Sequence, residues 1–420
     1  MKVSVVIPVH NGAKYLGPCL ESLLAQTGVD FEVIAVDNGS TDGSPDLVGV
    51  LFPQVRLIRL PANRGFAGGC NAGLSAAAGE ILVLLNQDTR VLPGWLVRLT
   101  EAAAEPRVGV AGCKVVCADG HTVQHAGGWV EWPLGLARHR GEGSPDDGRW
   151  DEAGPADYVT GAAMAFRRQV LERVGLLDEG FRPGYFEDVD FCYRVREAGY
   201  EVRYVPGAVV LHHGTTTLTD RTARALAYHR GRLRLVLKHL PPDRVLAEFV
   251  PAERTYLTGV VASEGPVPVS AAYLTALTEA PHLLAGRWGA NGELCRQVVD
   301  ALATLYRAAW AAWDGAPGAG PERPVLPRLT EHRFRSRVPV IGPVISRFRA
   351  LEYSLAARWA IRHLMAEQEA VNRMVEAEIF LTRQAAREEA TRTQAVIRQL
   401  AEVLLEVGLA GLSWEKDREP

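Results

Sequence analysis

Apolar stretches alternate with helix-like stretches over the first 115 residues or so of this 420-residue chain, and this pattern restricts its fold more than any other feature. VSVVIPV (3–9) and EILVLL (80–85) are nearly continuous apolar runs, as expected of strands that are buried on both faces. YLGPCLESLLAQ (15–26), which lies between them, has the apolar spacing of a helix. The alternation predicts an α/β fold with a mostly parallel sheet that carries helices on both faces.

Polar side chains are predicted to gather at one edge of this sheet. Asp37, Asn63 and Asp88 fall at or just past strand ends. The carboxyl ends of the strands in such a sheet form the edge at which ligands bind. LLNQDT (84–89) offers oxygen ligands that suit Mg²⁺ or Mn²⁺ holding a diphosphate. Taken singly, each of these residues could also belong to an ordinary turn or helix cap.

A glycine-rich stretch, NRGFAGGCNAG (63–73), runs from a strand into a predicted helix. Glycines permit close approach of the backbone to a ligand, and a helix N-terminus attracts phosphate. The stretch lacks the glycine spacing of dinucleotide-binding loops, so tight packing of the helix on the strand is the alternative interpretation.

Two histidines, His212 and His213, stand at the end of a further predicted strand, 201–214. A lone histidine is more often an ordinary core or surface residue, but imidazole is also an acceptable ligand for Mn²⁺. Successive strand residues point to opposite faces, so only one of the two should reach a site at the strand end.

FEDVDFCYR (186–194) places three carboxylates, Glu187, Asp188 and Asp190, within four positions of an otherwise aromatic and apolar stretch. The stretch reads as a helix that ends at Gly199. Acidic residues in a first helical turn complement the helix dipole, which is the plain explanation. Burying neighbouring carboxylates is expensive, however, and raises their proton affinity, as suits a general base.

The rest of the chain sets broader limits. Residues 116–160 are rich in Gly, Trp and acidic residues and are predicted to be loop, while 161–175 reads as a strand followed by a helix. A net charge of −3 gives no overall attraction to nucleic acid, so no nucleic-acid partner is expected. No apolar run approaches the ~18–20 residues that span a bilayer.

The order of these motifs resembles that of inverting glycosyltransferases of family 2, which have the GT-A fold, and in particular their bacterial rhamnosyltransferase-like members. The resemblance covers roughly residues 1–235. It rests on VSVVIPVHNG (3–12), VDNGSTD (36–42), NRGFAGGCNAG (63–73), LLNQDT (84–89), TGAAMAFRR (160–168), FEDVDFCYR (186–194) and VLHHG (210–214). It implies a Rossmann-like, mostly parallel sheet that binds a nucleotide-sugar donor.

The resemblance also implies a role for each matching residue. Asp188 would be the general base, with Glu187 beside it in the catalytic group. Asp88 and His212 would hold Mn²⁺ or Mg²⁺; Asn86 replaces the first carboxylate of the family's metal motif, which leaves one carboxylate there instead of two. Residues expected at the nucleotide and donor are Pro8, His10, Asn11, Asp37, Asn63, Gly65, Phe66, Asn71 and Asn86. Asp190 and Trp129 are candidate contacts to the acceptor.

The implied activity is metal-dependent, inverting transfer from dTDP-rhamnose or a UDP-hexose to a cell-surface polysaccharide or lipid-linked glycan. One alternative is a sugar-phosphate nucleotidyltransferase, although PVHNG (8–12) replaces the glycine-rich loop of that class. Another is a non-catalytic assembly subunit that keeps the fold; loss of Asp88 or Asp188 would favour it, and both are present. The expected location is cytoplasmic, with a possible peripheral position on the inner membrane.

Four segments are predicted: a catalytic domain (1–235), a helical extension (236–314), a Pro/Gly linker (315–327) and C-terminal amphipathic, coiled-coil-like helices (328–420). Residues 331–363 contain seven arginines against two glutamates among apolar residues. Such a segment suits either an anionic membrane surface or a solvated helix face that docks on the catalytic domain. Apolar residues beyond Met365 recur at heptad spacing, which is compatible with a homodimer through these helices.

Overall fold

The computed structural model describes residues 2–214, 220–290 and 292–314. Contacts divide the chain into two units, of which the first ends at His239 and the second begins at Leu240. The predicted boundary at residue 235 falls inside the last helix of the first unit. The predicted linker (315–327) and the C-terminal helices (328–420) lie outside the described residues.

The first unit contains the following elements. Its strands are β1 (Val3–Val9), β2 (Phe31–Asn38), β3 (Arg56–Leu60), β4 (Ile81–Leu85), β5 (Thr89–Val91), β6 (Val108–Cys117), β7 (Val123–His125), β8 (Gly128–Glu131), β9 (Leu136–His139), β10 (Gly154–Pro155), β11 (Ala163–Arg167) and β12 (Glu201–His212). Its helices are α1 (Ala13–Leu24), α2 (Ser44–Leu51), α3 (Gly65–Ala76), α4 (Trp95–Ala104), α5 (Arg168–Val174), α6 (Glu187–Glu197) and α7 (Arg221–His239), with a 3₁₀ turn at Glu179–Phe181.

Among the described residues, the main sheet has the strand order β10-β12-β6-β11-β4-β1-β2-β3. The neighbours β4, β1, β2 and β3 are parallel, as are β6 and β12, while β11 runs antiparallel between β4 and β6. The predicted α/β fold with a mostly parallel sheet is confirmed.

The sheet carries helices on both faces because its central strands are apolar on both sides. Along β1, Val5 and Ile7 face one hydrophobic cluster and Val6 faces the other. The first cluster includes Leu16 and Leu20 of α1 and Trp95 and Leu99 of α4. The second includes Cys70 and Leu74 of α3 and Phe191 and Val195 of α6.

Helix α3 packs very close to the sheet. A Cβ at Gly73 would lie 2.2 Å from Cγ1 of Val6 and 3.0 Å from Cγ2 of Val36, so only glycine fits at this position. Gly73 therefore serves tight packing of helix on strand, which is one of the two interpretations that the sequence left open for 63–73.

The prediction that residues 116–160 form a loop is wrong. This stretch contains the end of β6, the short strands β7 and β10, and the β8–β9 hairpin, which forms a separate two-stranded sheet. These strands are only two to four residues long and are interrupted by Gly and Pro. Such short strands provide too few residues for a period-two pattern to be recognised in the sequence.

Helix α6 begins at an unusual backbone conformation. Tyr185 and Phe186 both have φ of 75°, in the left-handed region that side chains with a Cβ rarely adopt. Helix α7 packs directly against this turn: a Cβ at Gly231 would lie 2.7 Å from the Tyr185 carbonyl oxygen. The turn places Glu187 and Asp188 in the first turn of α6.

The second unit is helical in its described part. It contains α8 (Pro242–Arg244), which continues through a π-helical turn (Val245–Phe249) into α9 (Val250–Glu264). Helices α10 (Pro266–Trp288) and α11 (Gly292–Asp314) follow. None of the helices in the described ranges is long and apolar enough to cross a bilayer.

Candidate functional site

The end of β12 brings His212 to the turn between β4 and β5. His212 pairs with Thr89 across the β5–β12 ladder, and its Nε2 lies 3.2 Å from Oδ1 of Asp88. The Asn86 amide nitrogen lies 3.4 Å from the same Nε2, and Oε1 of Gln124 lies 2.8 Å from Nδ1. Asn86 and Asp88 therefore meet His212, which lies more than a hundred positions later in the sequence, and we call this point the β12 corner.

The chemistry of the β12 corner fits a divalent cation. When Gln124 Oε1 accepts a hydrogen bond from Nδ1–H, a neutral His212 turns its Nε2 lone pair towards the Asp88 carboxylate. These two electron-rich groups repel each other unless a proton or a cation lies between them. Asn86 Oδ1 is also buried and has no hydrogen-bond partner among the described residues.

The β12 corner would nevertheless supply only part of a coordination shell. Within the described part of the chain, no group of three or more His, Cys, Asp or Glu side chains is arranged to hold a metal ion. Asp88 and His212 would hold the cation, with Asn86 at its side. An imidazole ligand favours Mn²⁺ over Mg²⁺.

His213 faces away from the β12 corner. Its ring packs against Tyr15, with ring centroids 4.8 Å apart, and its backbone N–H donates to the Asp88 carbonyl oxygen at 3.1 Å. The alternation of side chains along the strand thus directs one of the two histidines to the site, as the sequence led us to expect.

The turn after β1 is tied to the β4–β5 turn. The His10 backbone N–H donates to Gln87 Oε1 at 3.0 Å, and Gln87 Nε2 donates back to the His10 carbonyl at 3.0 Å. Asn11 has φ of 48°, and its Oδ1 accepts a hydrogen bond from the Thr41 backbone N–H at 2.8 Å. His10 and Asn11 therefore lie at the same edge of the sheet as the β12 corner.

Asp37 and Pro8 lie on neighbouring parallel strands at this edge. Asp37 is 5% exposed, and its Oδ1 accepts from the Ser40 backbone N–H at 2.9 Å, which closes the turn after β2. Pro8 pairs in register with Val36 and packs against α3 at Gly69. Asp37 thus forms the turn that the sequence suggested, at the carboxyl end of β2.

The loop before α3 is held by hydrogen bonds from both sides. Asn38 donates to Asn63 Oδ1 at 3.2 Å and to the Gly65 carbonyl at 2.9 Å. Gly65 has φ of 76°, and the Phe66 backbone N–H donates to the Pro183 carbonyl at 2.9 Å. Asn63, Gly65 and Phe66 are therefore fixed between β2 and the segment that leads into α6.

Asn71 does not face a donor site, contrary to the sequence-based expectation. Its side chain is 5% exposed; Nδ2 donates to the Leu177 carbonyl at 2.9 Å and to Glu179 Oε1 at 3.1 Å. Its Oδ1 accepts from the Leu177 N–H at 3.1 Å. These contacts use Asn71 to fasten α3 to the 177–179 segment.

Asp188 is partly exposed at the start of α6. Its Oδ2 accepts a hydrogen bond from the Gly161 backbone N–H, and its Oδ1 accepts one from the Val189 N–H, each at 2.8 Å. Burial raises the pKa of the Asp188 carboxyl, although the two N–H donors and the charge of His139 act in the opposite direction. The carboxylate is thus held in a fixed orientation and remains a stronger base than an exposed aspartate.

Glu187 is buried behind Asp188. It is 5% exposed, and its Oε2 has no hydrogen-bond partner among the described residues. Burial, followed by the charge of the adjacent Asp188, raises the pKa of Glu187 well above its ordinary value. Glu187 therefore binds its proton more tightly than Asp188 does and is placed to influence Asp188 by its charge state.

Asp190 does not reach an acceptor site, so the predicted acceptor contact is not supported. It is fully buried, and its carboxylate pairs with Arg194 Nε at 2.9 Å, Lys238 Nζ at 2.6 Å and His239 Nε2 at 2.9 Å. Burial alone would raise the pKa of Asp190, but the His239 hydrogen bond and the two cations hold it well below its ordinary value. Asp190 joins α6 to α7.

Trp129 lies on β8, beside Gly128, which pairs with His139 across the β8–β9 hairpin. It is 44% exposed and lines a groove of about 560 Å³ together with Arg196 and Tyr200, which lie near the end of α6. A contact between Trp129 and the acceptor stays a prediction.

Several residues of the site had no role in the sequence-based prediction. Gln87 lies inside the quoted LLNQDT motif, so its position at a strand end was the available signal. Gln124, Gly161 and His139 act on His212 or Asp188 across long sequence separations. These contacts arise from the tertiary structure; Gly161 lies inside the TGAAMAFRR motif (160–168), whereas no local pattern indicates Gln124 or His139.

The fold and the site define an α/β protein whose parallel strands present a possible cation site and a fixed carboxylate at one edge. The model of the family described as glycosyl transferase family 2 matches residues 4–175. The N-acetylglucosaminyl-diphospho-decaprenol L-rhamnosyltransferase of Mycobacterium tuberculosis is 31% identical over 259 residues, 54% of this chain and 82% of that protein. The chain therefore belongs to glycosyltransferase family 2.

Other matches are more partial. The pre-mycofactocin glycosyltransferase of M. tuberculosis is 31% identical over 319 residues, and the match spans 74% of this chain but only 62% of that protein. Among solved structures, TarS of S. aureus has a TM-score of 0.46 at 17% identity, covering 74% of this chain and 55% of that one. A TM-score of this size does not establish a shared fold. The description of the architecture is therefore based on the strand order of the sheet.

Proposed function

We propose that this chain transfers a sugar, with inversion, from a UDP- or dTDP-sugar to a hydroxyl group of a glycan acceptor, with Asp188 as general base and with Mn²⁺ or Mg²⁺ at Asp88 and His212. The main support for this proposal is the two-residue segment Gly161–Ala162, which contacts both the candidate base and the β12 corner. The Gly161 N–H donates to Asp188, and the carbonyl of the next residue, Ala162, accepts from the Asn86 N–H at 2.8 Å. This segment fixes the base relative to the β12 corner.

In this reaction the acceptor oxygen attacks the anomeric carbon from the face opposite the diphosphate. The bond from that carbon to the diphosphate oxygen breaks, and the hydroxyl proton passes to Asp188. A bound divalent cation would neutralise charge on the departing diphosphate. The Gly161 and Val189 N–H groups orient the Asp188 carboxylate throughout.

Binding to a panel of nucleotide sugars tests the donor class. Calorimetric titration of the full chain with UDP-, dTDP- and GDP-sugars, with and without Mn²⁺, should show Mn²⁺-dependent binding of one uridine or thymidine donor. The variant Asp88→Asn should lose the Mn²⁺ dependence, whereas Glu21→Gln, on the exposed face of α1, should behave as wild type. Folded protein that binds no member of the panel would overturn the proposal and favour a non-catalytic assembly role.

Replacement of Asp188 tests the base. Asp188→Asn keeps the shape of the side chain but cannot take a proton, so transfer should fall by about 10²–10⁴-fold while donor binding is retained. Turnover at the wild-type rate would remove Asp188 from this role.

We propose rhamnose from dTDP-rhamnose as the first donor to test and a lipid-linked glycan as the first acceptor. This choice is supported by the name of the M. tuberculosis rhamnosyltransferase, which mentions both rhamnosyl transfer and a diphospho-decaprenol compound. A UDP-hexose is the second donor. Equal transfer from both donors would count against a rhamnose-specific enzyme.

A lipid-linked acceptor would suit a cytoplasmic protein that binds the membrane peripherally through the basic segment 331–363. Deletion of 331–420 from the full chain should then reduce flotation with vesicles that contain anionic lipid, while Mn²⁺-dependent donor binding remains. Retention of full vesicle binding would contradict this anchor. Sedimentation of the same pair of proteins tests whether these residues also form a homodimer.

A further inference from the structure

Strand β7 contains a β-bulge at Gln124. The strand runs antiparallel to β6, and its register pairs His125 with Val115 and Val123 with Val116. Three residues of β7 therefore lie opposite two of β6, and Gln124 is the extra residue. A bulge changes the direction of the side chain that it carries, and bulges are frequent beside active sites.

The residues on either side of Gln124 hold this bulge in place. Val123 and His125 are each 1% exposed. The Val123 N–H donates to the Ser144 carbonyl at 2.8 Å, and the Val123 carbonyl accepts from the Gly143 N–H at 2.9 Å. The backbone from which the Gln124 side chain starts is therefore fixed by burial and by hydrogen bonds.

The Gln124 side chain reaches His212 at the β12 corner. Its Oε1 lies 2.8 Å from His212 Nδ1. His212 pairs with Cys117, the last residue of β6, so side chains from the two neighbours of β6 meet at the end of that strand. Gly214 leaves room for the amide: a Cβ there would lie 2.9 Å from Gln124 Nε2, and the φ of Gly214 is 60°.

The contacts of the two ring nitrogens indicate where His212 carries its proton. The amide oxygen of Gln124 can only accept, so Nδ1 donates a hydrogen to it. The Asn86 amide nitrogen, 3.4 Å from Nε2, can only donate, so Nε2 presents a lone pair. Both contacts select the Nδ1–H form of the imidazole, with Nε2 unprotonated and 3.2 Å from Asp88 Oδ1.

We propose that Gln124 is a positioning residue that keeps the His212 proton on Nδ1 and so leaves Nε2 free to bind the divalent cation. This inference rests on the cation site of the proposed function. Without an acceptor at Nδ1, His212 would place its proton on Nε2 and donate it to Asp88, which would occupy both proposed ligands at once. A hydrogen bond to the outer nitrogen commonly fixes the tautomer and orientation of a metal-binding histidine.

The position of the ring proton tests this role without cation or substrate. In the ¹⁵N-histidine-labelled full chain, nitrogen chemical shifts distinguish protonated from unprotonated ring nitrogens, and His212→Asn identifies the His212 signals by their loss. At one alkaline pH, Nδ1 of the metal-free wild type should carry hydrogen. The proton should move to Nε2 in Gln124→Leu and stay on Nδ1 in Gln124→Glu, whose carboxylate only accepts. An unprotonated Nδ1 in wild type, or an unchanged ring in Gln124→Leu, overturns the proposal.

Calorimetry with Mn²⁺ alone tests the consequence for the cation. Gln124→Leu should bind Mn²⁺ about 10–100-fold more weakly than wild type, as is typical when a metal-binding histidine loses its outer partner. Gln124→Glu should bind at least as tightly as wild type, and Gln124→Met replaces the leucine variant if that protein does not fold. The same changes at Gln169, exposed on α5, are the matched controls and should have no effect. Equal affinity in wild type and the folded Gln124→Leu protein would sink the idea.

The two measurements separate this inference from the proposed function. A wild-type protein that binds no Mn²⁺, although its ring proton lies on Nδ1 and moves in Gln124→Leu, would refute the cation site and leave the control of His212 by Gln124. Mn²⁺ binding that is unchanged in Gln124→Leu would leave the cation site and refute the role of Gln124.

Discussion

Two adjacent carboxyl groups at the start of α6 have different environments. Glu187 is 5% exposed and has an unpaired Oε2 among the described residues, whereas Asp188 is partly exposed and accepts two backbone hydrogen bonds. Two acids whose environments differ in this way divide the proton between them, as in many enzymes that use paired carboxyls. Glu187 is thus expected to hold its proton while Asp188 remains ionised.

The variant Glu187→Gln tests this division through stability. Because the pKa of Glu187 is raised in the folded protein, its contribution to stability is fully present below the unfolded pKa of about 4.3 and is lost as pH rises through the folded pKa. Gln resembles the protonated acid and has no proton to lose. The free energy of unfolding in urea should therefore fall less between pH 5 and pH 8 in Glu187→Gln than in wild type, and an equal fall would contradict the assignment.

A single substitution should also raise the affinity of the β12 corner for Mn²⁺. Asn86→Asp adds a second carboxylate beside Asp88, and cation affinity rises with the number of charged ligands. Calorimetry should show about tenfold tighter Mn²⁺ binding to Asn86→Asp. The control, Gln87→Glu, adds the same charge one position away, on the side chain that binds the His10 backbone. A gain of equal size in the control would show that net charge, and not ligation, is responsible.

At the scale of elements, α6 and α7 are joined by a buried group of charges. Asp190 of α6 pairs with Lys238 and His239 of α7, and Asp178, at the start of the 3₁₀ turn, pairs with Arg234 and Lys238. These pairs compensate charges that would otherwise be costly to bury. The arrangement fixes the helix that carries Asp188 against its neighbour.

Asp190→Asn should therefore destabilise the protein strongly. The substitution takes one carboxylate away from Arg194, Lys238 and His239, and breaking a buried charge pair typically costs about 3–5 kcal/mol in unfolding free energy. Since the pKa of Asp190 is lowered by folding, its contribution is present above the unfolded pKa of about 3.9 and is lost as pH falls through the folded pKa. Urea unfolding at pH 7 and at low pH should show a gap that narrows in acid. Glu248→Gln, which breaks an exposed pair with Arg244, is the matched control and should change little.

The sequence predicted most elements and part of the site, for physical reasons that differ between residues. Apolar runs such as β1 and β4 are evident in sequence because burial on both faces demands them. Asp190 was misassigned although it lies two positions from Asp188, and residues two apart on a helix do not face the same side. The left-handed backbone at Tyr185 and Phe186 packs against Gly231 of α7, and no local sequence pattern indicates such a tertiary contact.

At the scale of the whole molecule, the boundary between the two units after His239 can be tested by truncating the chain. A chain that ends at residue 239 retains Lys238 and His239, whereas a chain that ends at 235 loses both and leaves Asp190 with Arg194 as its remaining cation among the pairs described above. The chain 1–239 should therefore melt at a clearly higher temperature than 1–235. Equal melting temperatures would show that the α6–α7 charges do not define the end of the first unit.

The wide sequence spacing of the β12 corner has a consequence for biosynthesis. Asp88 is made early, but His212 enters the sheet only when β12 pairs with β5 and β6. A growing chain that has not yet reached residue 212 lacks one of the two proposed ligands. The proposed cation site should thus be complete only after β12 has been synthesised and has joined the sheet.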